Sequence, residues 1–271
     1  MKTAFITGAT GGVGRALAGV LEAEGYRLVI SDRDESALEA MSFQLSHDPE
    51  CITADLMVEE DVGRLCARLE SPAAPIDLLI NNAGIIVPGP VSEVSTASLK
   101  AHVEINLTQP MILSAAAARS MKTRRAGHIF SIVSLAGIIP LKNSAAYSAS
   151  KFGLRGFMAA LSMELKPYGI GVGSLFPSAI DTPLLAEEMA SPSGSPLNFV
   201  GGSQPLSPLE TAQASLKAIK TNKLETWLPK GDGRSGGLVM TFPSLLGPIS
   251  EHLEKKGEKK KQAYLQRLAQ T

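Results

Sequence analysis

The stretch Thr3-Ala4-Phe5-Ile6-Thr7-Gly8-Ala9-Thr10-Gly11-Gly12-Val13-Gly14 decides how the rest of this chain is read. A short apolar run of strand type ends in a glycine-rich turn, and a helical pattern over residues 13–24 follows at once. Glycines allow a tight turn and a close backbone approach. They leave the first amides of the helix free to face a pyrophosphate. The spacing of Gly8, Gly12 and Gly14 is G-x-x-x-G-x-G and not G-x-G-x-x-G. A glycine turn alone is a weak signal, but one set between a strand and a helix is much stronger.

Outward from this turn the chain repeats one rhythm. Aliphatic runs of strand type occur at 3–7, 27–31, 50–54, 78–81, 127–133 and 171–176, with a seventh at 225–228. Helical patterns lie between them at 13–24, 34–44, 59–69, 98–121, 146–168 and 208–221. Apolar runs of about five residues alternating with amphipathic helices indicate parallel strands covered on both faces. The expected fold is therefore α/β, a doubly wound parallel sheet of about seven strands. Residues 190–208 break the rhythm with Ser, Pro and Gly, including Gly201-Gly202, and read as a mobile loop that could close over a substrate.

The 271 residues suit one large domain, and 44% hydrophobic against 5% aromatic content predicts an aliphatic core. Twenty-six basic residues balance twenty-six acidic ones, so no global field draws nucleic acid to the chain. Cys51 and Cys66 read as reduced thiols, and none of the four histidines stands at a metal-ligand or catalytic spacing, so no metal is expected. The first residues read as a strand and not as a charged-then-apolar leader, so no secretory signal is expected, and no apolar run approaches the roughly 20 residues that span a bilayer. The expectation is a cytoplasmic protein.

Two groups of residues carry chemistry. The second strand ends in Asp32-Arg33: a carboxylate there accepts bonds from a ribose and repels a 2′-phosphate, whereas an arginine pairs with that phosphate. Asp32 favours NAD, and Arg33 leaves NADP open. Further along, Tyr147 and Lys151 are one helical turn apart, with Ser134 thirteen residues upstream. An ammonium beside a phenol stabilises phenolate, so a Tyr147 proton usable near neutral pH is expected.

With these motifs in order, the chain resembles the short-chain dehydrogenase/reductase (SDR) family over about residues 2–185. Asp55-Leu56, Asn81-Asn82-Ala83-Gly84, Asn106, Ser134 and the Tyr147–Lys151 pair match that family's pattern in sequence. The resemblance implies a Rossmann-like fold and an NAD(P)-dependent oxidoreductase that interconverts an alcohol with its ketone or aldehyde. It implies catalytic roles for Asn106, Ser134, Tyr147 and Lys151. Tyr147 would act as acid and base, Ser134 would bond the substrate oxygen, and Asn106 would hold a water joining Lys151 to solvent. It also implies a cofactor site built from Gly8, Thr10, Gly12, Val13, Gly14, Asp32, Arg33, Asp55, Leu56, Asn82, Ala83, Gly84, Tyr147, Lys151, Pro177, Ile180 and Thr182. The family's Pro-Gly after the sixth strand is Pro177-Ser178 here, where an altered backbone is expected. The alternative is a catalytically silent dinucleotide-binding sensor or scaffold.

Leu135, Ile138, Ile139, Leu141, Leu184, Leu185 and Met189 surround the expected mouth and favour a lipophilic substrate. The organisation expected is a catalytic domain over 1–230, with a substrate loop at about 183–208, and a C-terminal helical extension over 231–271. In that extension an apolar stretch (including Phe242-Pro243 and Leu245-Leu246) precedes a lysine cluster at 255–261. Such a tail suits either a helix on its own domain, a subunit contact or a peripheral membrane contact. By the resemblance, a homodimer or homotetramer would form through the Tyr-bearing helix, whose small residues Ala149, Gly153, Gly156 and Ala160 permit close approach.

Overall fold

The computed structural model describes residues 1–199, 205–242, 244 and 246–268. Gly201-Gly202, Pro243 and Leu245 lie outside the described residues. Seven parallel strands form one sheet: β1 (Thr3–Thr7), β2 (Arg27–Asp32), β3 (Glu50–Thr53), β4 (Leu78–Asn81), β5 (His128–Ile132), β6 (Gly171–Pro177) and β7 (Glu225–Leu228), in the order β3-β2-β1-β4-β5-β6-β7. The chain winds one way from β1 to β3 and the other way from β4 to β7. The strand order therefore reverses between β1 and β4, where such sheets open a crevice at their carboxyl ends.

Alternate residues of each strand feed two cores. Phe5, Val29, Leu79, Ile129 and Val172 pack under α3 (Glu59–Glu70), α5 (Gln109–Arg124) and α6 (Ala145–Leu165). Ala4, Ile6, Leu28, Ile30, Ile80 and Phe130 pack on the other face under α1 (Gly12–Ala23), α2 (Glu35–Ser42) and α8 (Pro208–Lys220). Burying both faces is what makes the strands read as unbroken apolar runs.

Two parts differ from the sequence expectation, and the tail takes the helical form expected of it. The single helix expected at 98–121 is α4 (Thr96–Val103), a π-helical turn (Glu104–Thr108) and then α5; one residue more per turn in the middle rotates the second half relative to the first. The described part of the loop expected from residue 190 is not a plain loop. Helix α7 (Pro183–Ala190) leads into it, and a 3₁₀ turn (Pro196–Phe199) buries Phe199 against Tyr264. The tail forms α9 (Lys230–Thr241) and α10 (Leu246–Leu268). Helix α9 forms in spite of four glycines because it packs on β7 and the turn after β5. Helix α10 lies on α7 and the 3₁₀ turn with Lys261 and Tyr264 buried, while Lys255, Lys256 and Lys259 stay exposed. No described helix is long and apolar enough to cross a membrane.

Candidate active site

The glycine turn is built by close approach. Gly8 takes φ +64°, and a Cβ there would stand 2.7 Å from Ala83 Cα; a Cβ on Gly14 would stand 2.2 Å from Gly8 O. Asn82 ties the turn to the end of β4, its Nδ2 donating to Thr7 O (3.0 Å) and Gly8 O (2.9 Å). The amides of Asn82 and Ala83 donate to Thr7 Oγ1 at 3.1 and 3.2 Å. Helix α1 has no side-chain cap on Gly11 and no acid in its first turn, so its leading amides face the crevice unneutralised. A pyrophosphate fits this cradle. Gly12 lies against Thr182, whose Oγ1 accepts the Leu185 amide and starts α7. That contact brings the carboxyl end of β6 to the same crevice.

At the end of β2 the Asp32 carboxylate is already engaged. Oδ2 accepts from Thr10 N (2.9 Å) and Thr10 Oγ1 (2.7 Å), and Oδ1 accepts from Arg33 N (2.8 Å). Arg33 is exposed and lines a depression of about 640 Å³ with Asp34, Glu39 and Asp55. Asp55 accepts from Met57 N at 2.8 Å, and Leu56 packs against the core. Ile180 pairs with Leu206 beside Pro177, and Ser178 keeps a negative φ, its amide donating to Leu228 O at 2.8 Å. The altered backbone expected at Ser178 does not extend to a left-handed conformation.

The residues expected to be catalytic come together at the carboxyl end of β5. Ser134 holds φ 154° and ψ 157°, a conformation that non-glycine residues rarely adopt, pinned by Ala136 N–H on its Oγ (3.0 Å) and Gly137 N–H on its carbonyl (2.9 Å). Tyr147 and Lys151 project from one face of α6, and Nζ of Lys151 lies 5.6 Å from the phenol centroid. Burial pushes the Tyr147 phenol up to about 12, the Ser134 hydroxyl opposing the rise and the Glu188 carboxylate adding to it. Burial also holds Lys151 down to about 8. The lowered Tyr147 pKa expected from its lysine neighbour is therefore not met. Desolvation is the largest cause of the rise, and the described bond of the Lys151 ammonium goes to Ile132 O at 3.3 Å.

Asn106 sits fully buried in the π-helical turn. Its Oδ1 accepts from Ile85 N (2.9 Å), and its Nδ2 donates to Ile85 O (2.9 Å) and Ser150 Oγ (3.3 Å). Its amide is thus committed to the segment after β4, which runs past Lys151: a Cβ on Gly84 would stand 3.6 Å from Nζ. Asn81 bonds Ser114 (3.0 Å) and Ser131 (3.4 Å) and braces the sheet. Of the apolar residues expected at the mouth, Ile138, Leu141, Leu185 and Met189 are buried, while Leu184 is exposed and Leu135 and Ile139 are half-buried.

Sequence reasoning passed over two residues here. Glu188, on α7, is buried with a bond from Asn198 Nδ2 (2.7 Å), and burial raises it to about 7. His102 is buried one turn before Asn106 and meets Tyr147 edge-on. The only sequence signal for His102 is its i−4 spacing from Asn106.

Fold and site together define a dinucleotide-dependent oxidoreductase. The chain belongs to the short chain dehydrogenase family, whose sequence model matches residues 2–192. It is 28% identical over 223 residues to an uncharacterized oxidoreductase of Staphylococcus saprophyticus, covering 81% of this chain and 91% of that one. It is 34% identical over 191 residues to a 3-dehydrosphinganine reductase of Danio rerio, covering 68% of this chain and 58% of the relative. Among solved structures, a short-chain dehydrogenase of Sphingobium yanoikuyae in complex with NADPH superposes with a TM-score of 0.78 at 26% identity, covering 91% of this chain and 95% of that one. The enzyme is an NAD(P)-dependent dehydrogenase/reductase acting on a small molecule.

Proposed function

We propose that this enzyme interconverts a secondary or primary alcohol and its ketone or aldehyde, with Tyr147 moving the proton at the substrate oxygen. The observation that carries this reading is the convergence of Ser134, Tyr147 and Lys151 beside the crevice where the strand order reverses. A bound nicotinamide supplies or accepts the hydride. Ser134 Oγ donates to the substrate oxygen, a bond that strengthens as negative charge develops there. Tyr147 gives its proton to that oxygen or takes it back. Lys151, still protonated at neutral pH, opposes the cost of a buried phenolate and is placed to bond the ribose hydroxyls. Asn106 fixes Ile85 beside it, which keeps the proton route from Lys151 in register.

The glycine turn with Thr10, Gly12 and Val13 would hold the pyrophosphate. Asp32, Asp55 and Leu56 would hold the adenosine, with Asn82, Ala83 and Gly84 along the crevice and Pro177, Ile180 and Thr182 at the carboxamide. Asp32 favours NAD. NADP is the second reading, because three donors occupy the Asp32 carboxylate while the Arg33 guanidinium is exposed beside Asp34. Dissociation constants for both reduced cofactors decide between them. If NADH binds tighter, Asp32 dominates; if NADPH binds tighter and Arg33→Ala reverses the order, the second reading holds.

Residues 1–230 form the catalytic domain in this reading, 183–208 cover the substrate, and 231–271 extend the same domain. A lipophilic carbonyl suits the half-buried Leu135 and Ile139, and the similarity to a 3-dehydrosphinganine reductase supports it. The exposed Met111, Ile112 and Met163 beside Ala149, Gly156 and Ala160 suit a subunit seam. Gly153 belongs instead to the core side, where a Cβ would meet Leu107 at 2.8 Å. A panel of lipophilic ketones and aldehydes, read by nicotinamide absorbance, tests the whole reading. Dinucleotide binding with no turnover of any member would point to a silent sensor and overturn it.

A further inference from the structure

We propose that His102 is a positioning residue for the catalytic pair, linking the segment after β4 to the Tyr147 ring. The side chain is 1% exposed. A buried imidazole is costly unless both nitrogens are bonded, and here both are. Nδ1 lies 2.7 Å from Ser98 O, and Nε2 lies 3.0 Å from Val87 N. A carbonyl oxygen only accepts and an amide N–H only donates, so Nδ1 carries the proton and Nε2 the lone pair. The partners impose a single neutral tautomer. The ring then meets Tyr147 edge-on, with centroids 6.5 Å apart and planes at 77°.

His102 and Asn106 stand one turn apart and grip neighbouring points of the same segment. Asn106 takes both polar groups of Ile85, and His102 takes the amide of Val87. That segment passes Lys151 at Gly84, so its position sets the wall beside the ammonium. Any large apolar residue at 102 would fill the space. Only an acceptor at this reach satisfies Val87 N–H and at the same time presents a ring edge to Tyr147. The inference rests on the reading of Tyr147 as proton carrier.

Two variants separate its parts. H102F keeps a ring and loses the acceptor, whereas in H102Q the amide oxygen accepts from Val87. We expect H102F to lower kcat by about tenfold, as small misplacements of reacting groups do, with KM for the dinucleotide unchanged within about twofold. Exchange of the Val87 amide should speed up in H102F and stay slow in H102Q, and H102Q, which keeps the acceptor but lacks the ring edge, should recover part of kcat. Should H102F not fold, H102M supplies the apolar arm. Wild-type kcat in the apolar variant, equal loss in both variants, or an unchanged Val87 amide would overturn the proposal. If the wild-type protein turns over no carbonyl at all, the reading of Tyr147 fails instead, and Val87 exchange still decides the link through His102.

Discussion

A largely desolvated phenol gives up its proton only at a cost, and the half-buried Tyr147 is held up at about 12 for that reason. A high pKa suits the direction in which Tyr147 donates to a developing alkoxide, because the proton is on the phenol at every physiological pH. In the proposed mechanism, taking a proton back draws on the ammonium of Lys151, which burial brings down to about 8. Tyr147→Phe removes the proton and little else. Turnover of a found substrate is expected to fall by about 10²–10⁴-fold, the usual contribution of a positioned acid. Steady-state kinetics, with dinucleotide binding followed by fluorescence, check it; unchanged turnover would sink the mechanism. The spacing of Tyr147 and Lys151 was legible because one helical turn is a local property. The competition between desolvation and the ammonium was not, since it depends on what the rest of the chain places around the hydroxyl.

At the scale of elements, α10 packs on α7 and the 3₁₀ turn at Pro196–Phe199, within the segment proposed to cover the substrate, through several independent contacts. Lys261 Nζ is buried and donates to Gly194 O at 2.7 Å. Phe199 and Tyr264 rings pack at 5.4 Å, and Arg267 Nη2 bonds Asp181 Oδ2 at 3.0 Å. The helix comes so close that a Cβ on Gly257 would stand 2.1 Å from Pro196 O. Lys261→Met keeps the length of the side chain and leaves Gly194 O without its donor, at a cost of about 1–3 kcal/mol. Faster amide exchange is expected over residues 183–199, with the strands β1, β4 and β5 unchanged. Hydrogen-exchange mass spectrometry reads both at once, and uniform exchange across the chain would contradict the local role. The lysine run at 255–261 could be seen in the sequence, but its division could not. Lys261 turns inward while Lys255, Lys256 and Lys259 stay out, which follows from the helix phase against the 3₁₀ turn at Pro196–Phe199.

For the molecule as a whole, two buried titrating groups pull stability in opposite directions. His128 is neutral in the fold, burial holding it down to about 4, so protonation of the unfolded chain takes stability away as the pH falls from 6.5 to 4. Glu188 is raised to about 7 from 4.5, so the fold keeps a proton that the unfolded chain releases. Its contribution is complete below pH 4.5 and is lost as the pH rises through 7. Glu188→Gln removes that loss. The stability gap between variant and parent should widen in favour of the variant from pH 4.5 to 7, at about 1.4 kcal/mol per unit, and stay constant above. Urea midpoints across that range measure it, and a parallel pair of curves would mean that Glu188 titrates normally.

The sequence by itself determined the seven strands, their parallel winding, the glycine turn and the one-turn spacing of Tyr147 and Lys151. Each of these rests on local periodicity or on spacing within one element, and such signals survive without neighbours. Only the tertiary structure decided that Asp32 is already engaged by Thr10, that Asn106 clamps Ile85, that His102 reaches Tyr147 and that α10 packs on α7 and the 3₁₀ turn at Pro196–Phe199. Those contacts join residues from 21 to 86 positions apart, or depend on a π-helical turn that adds one residue to a helix. Their partners are chosen by the packing of whole elements, which no run of neighbouring residues encodes.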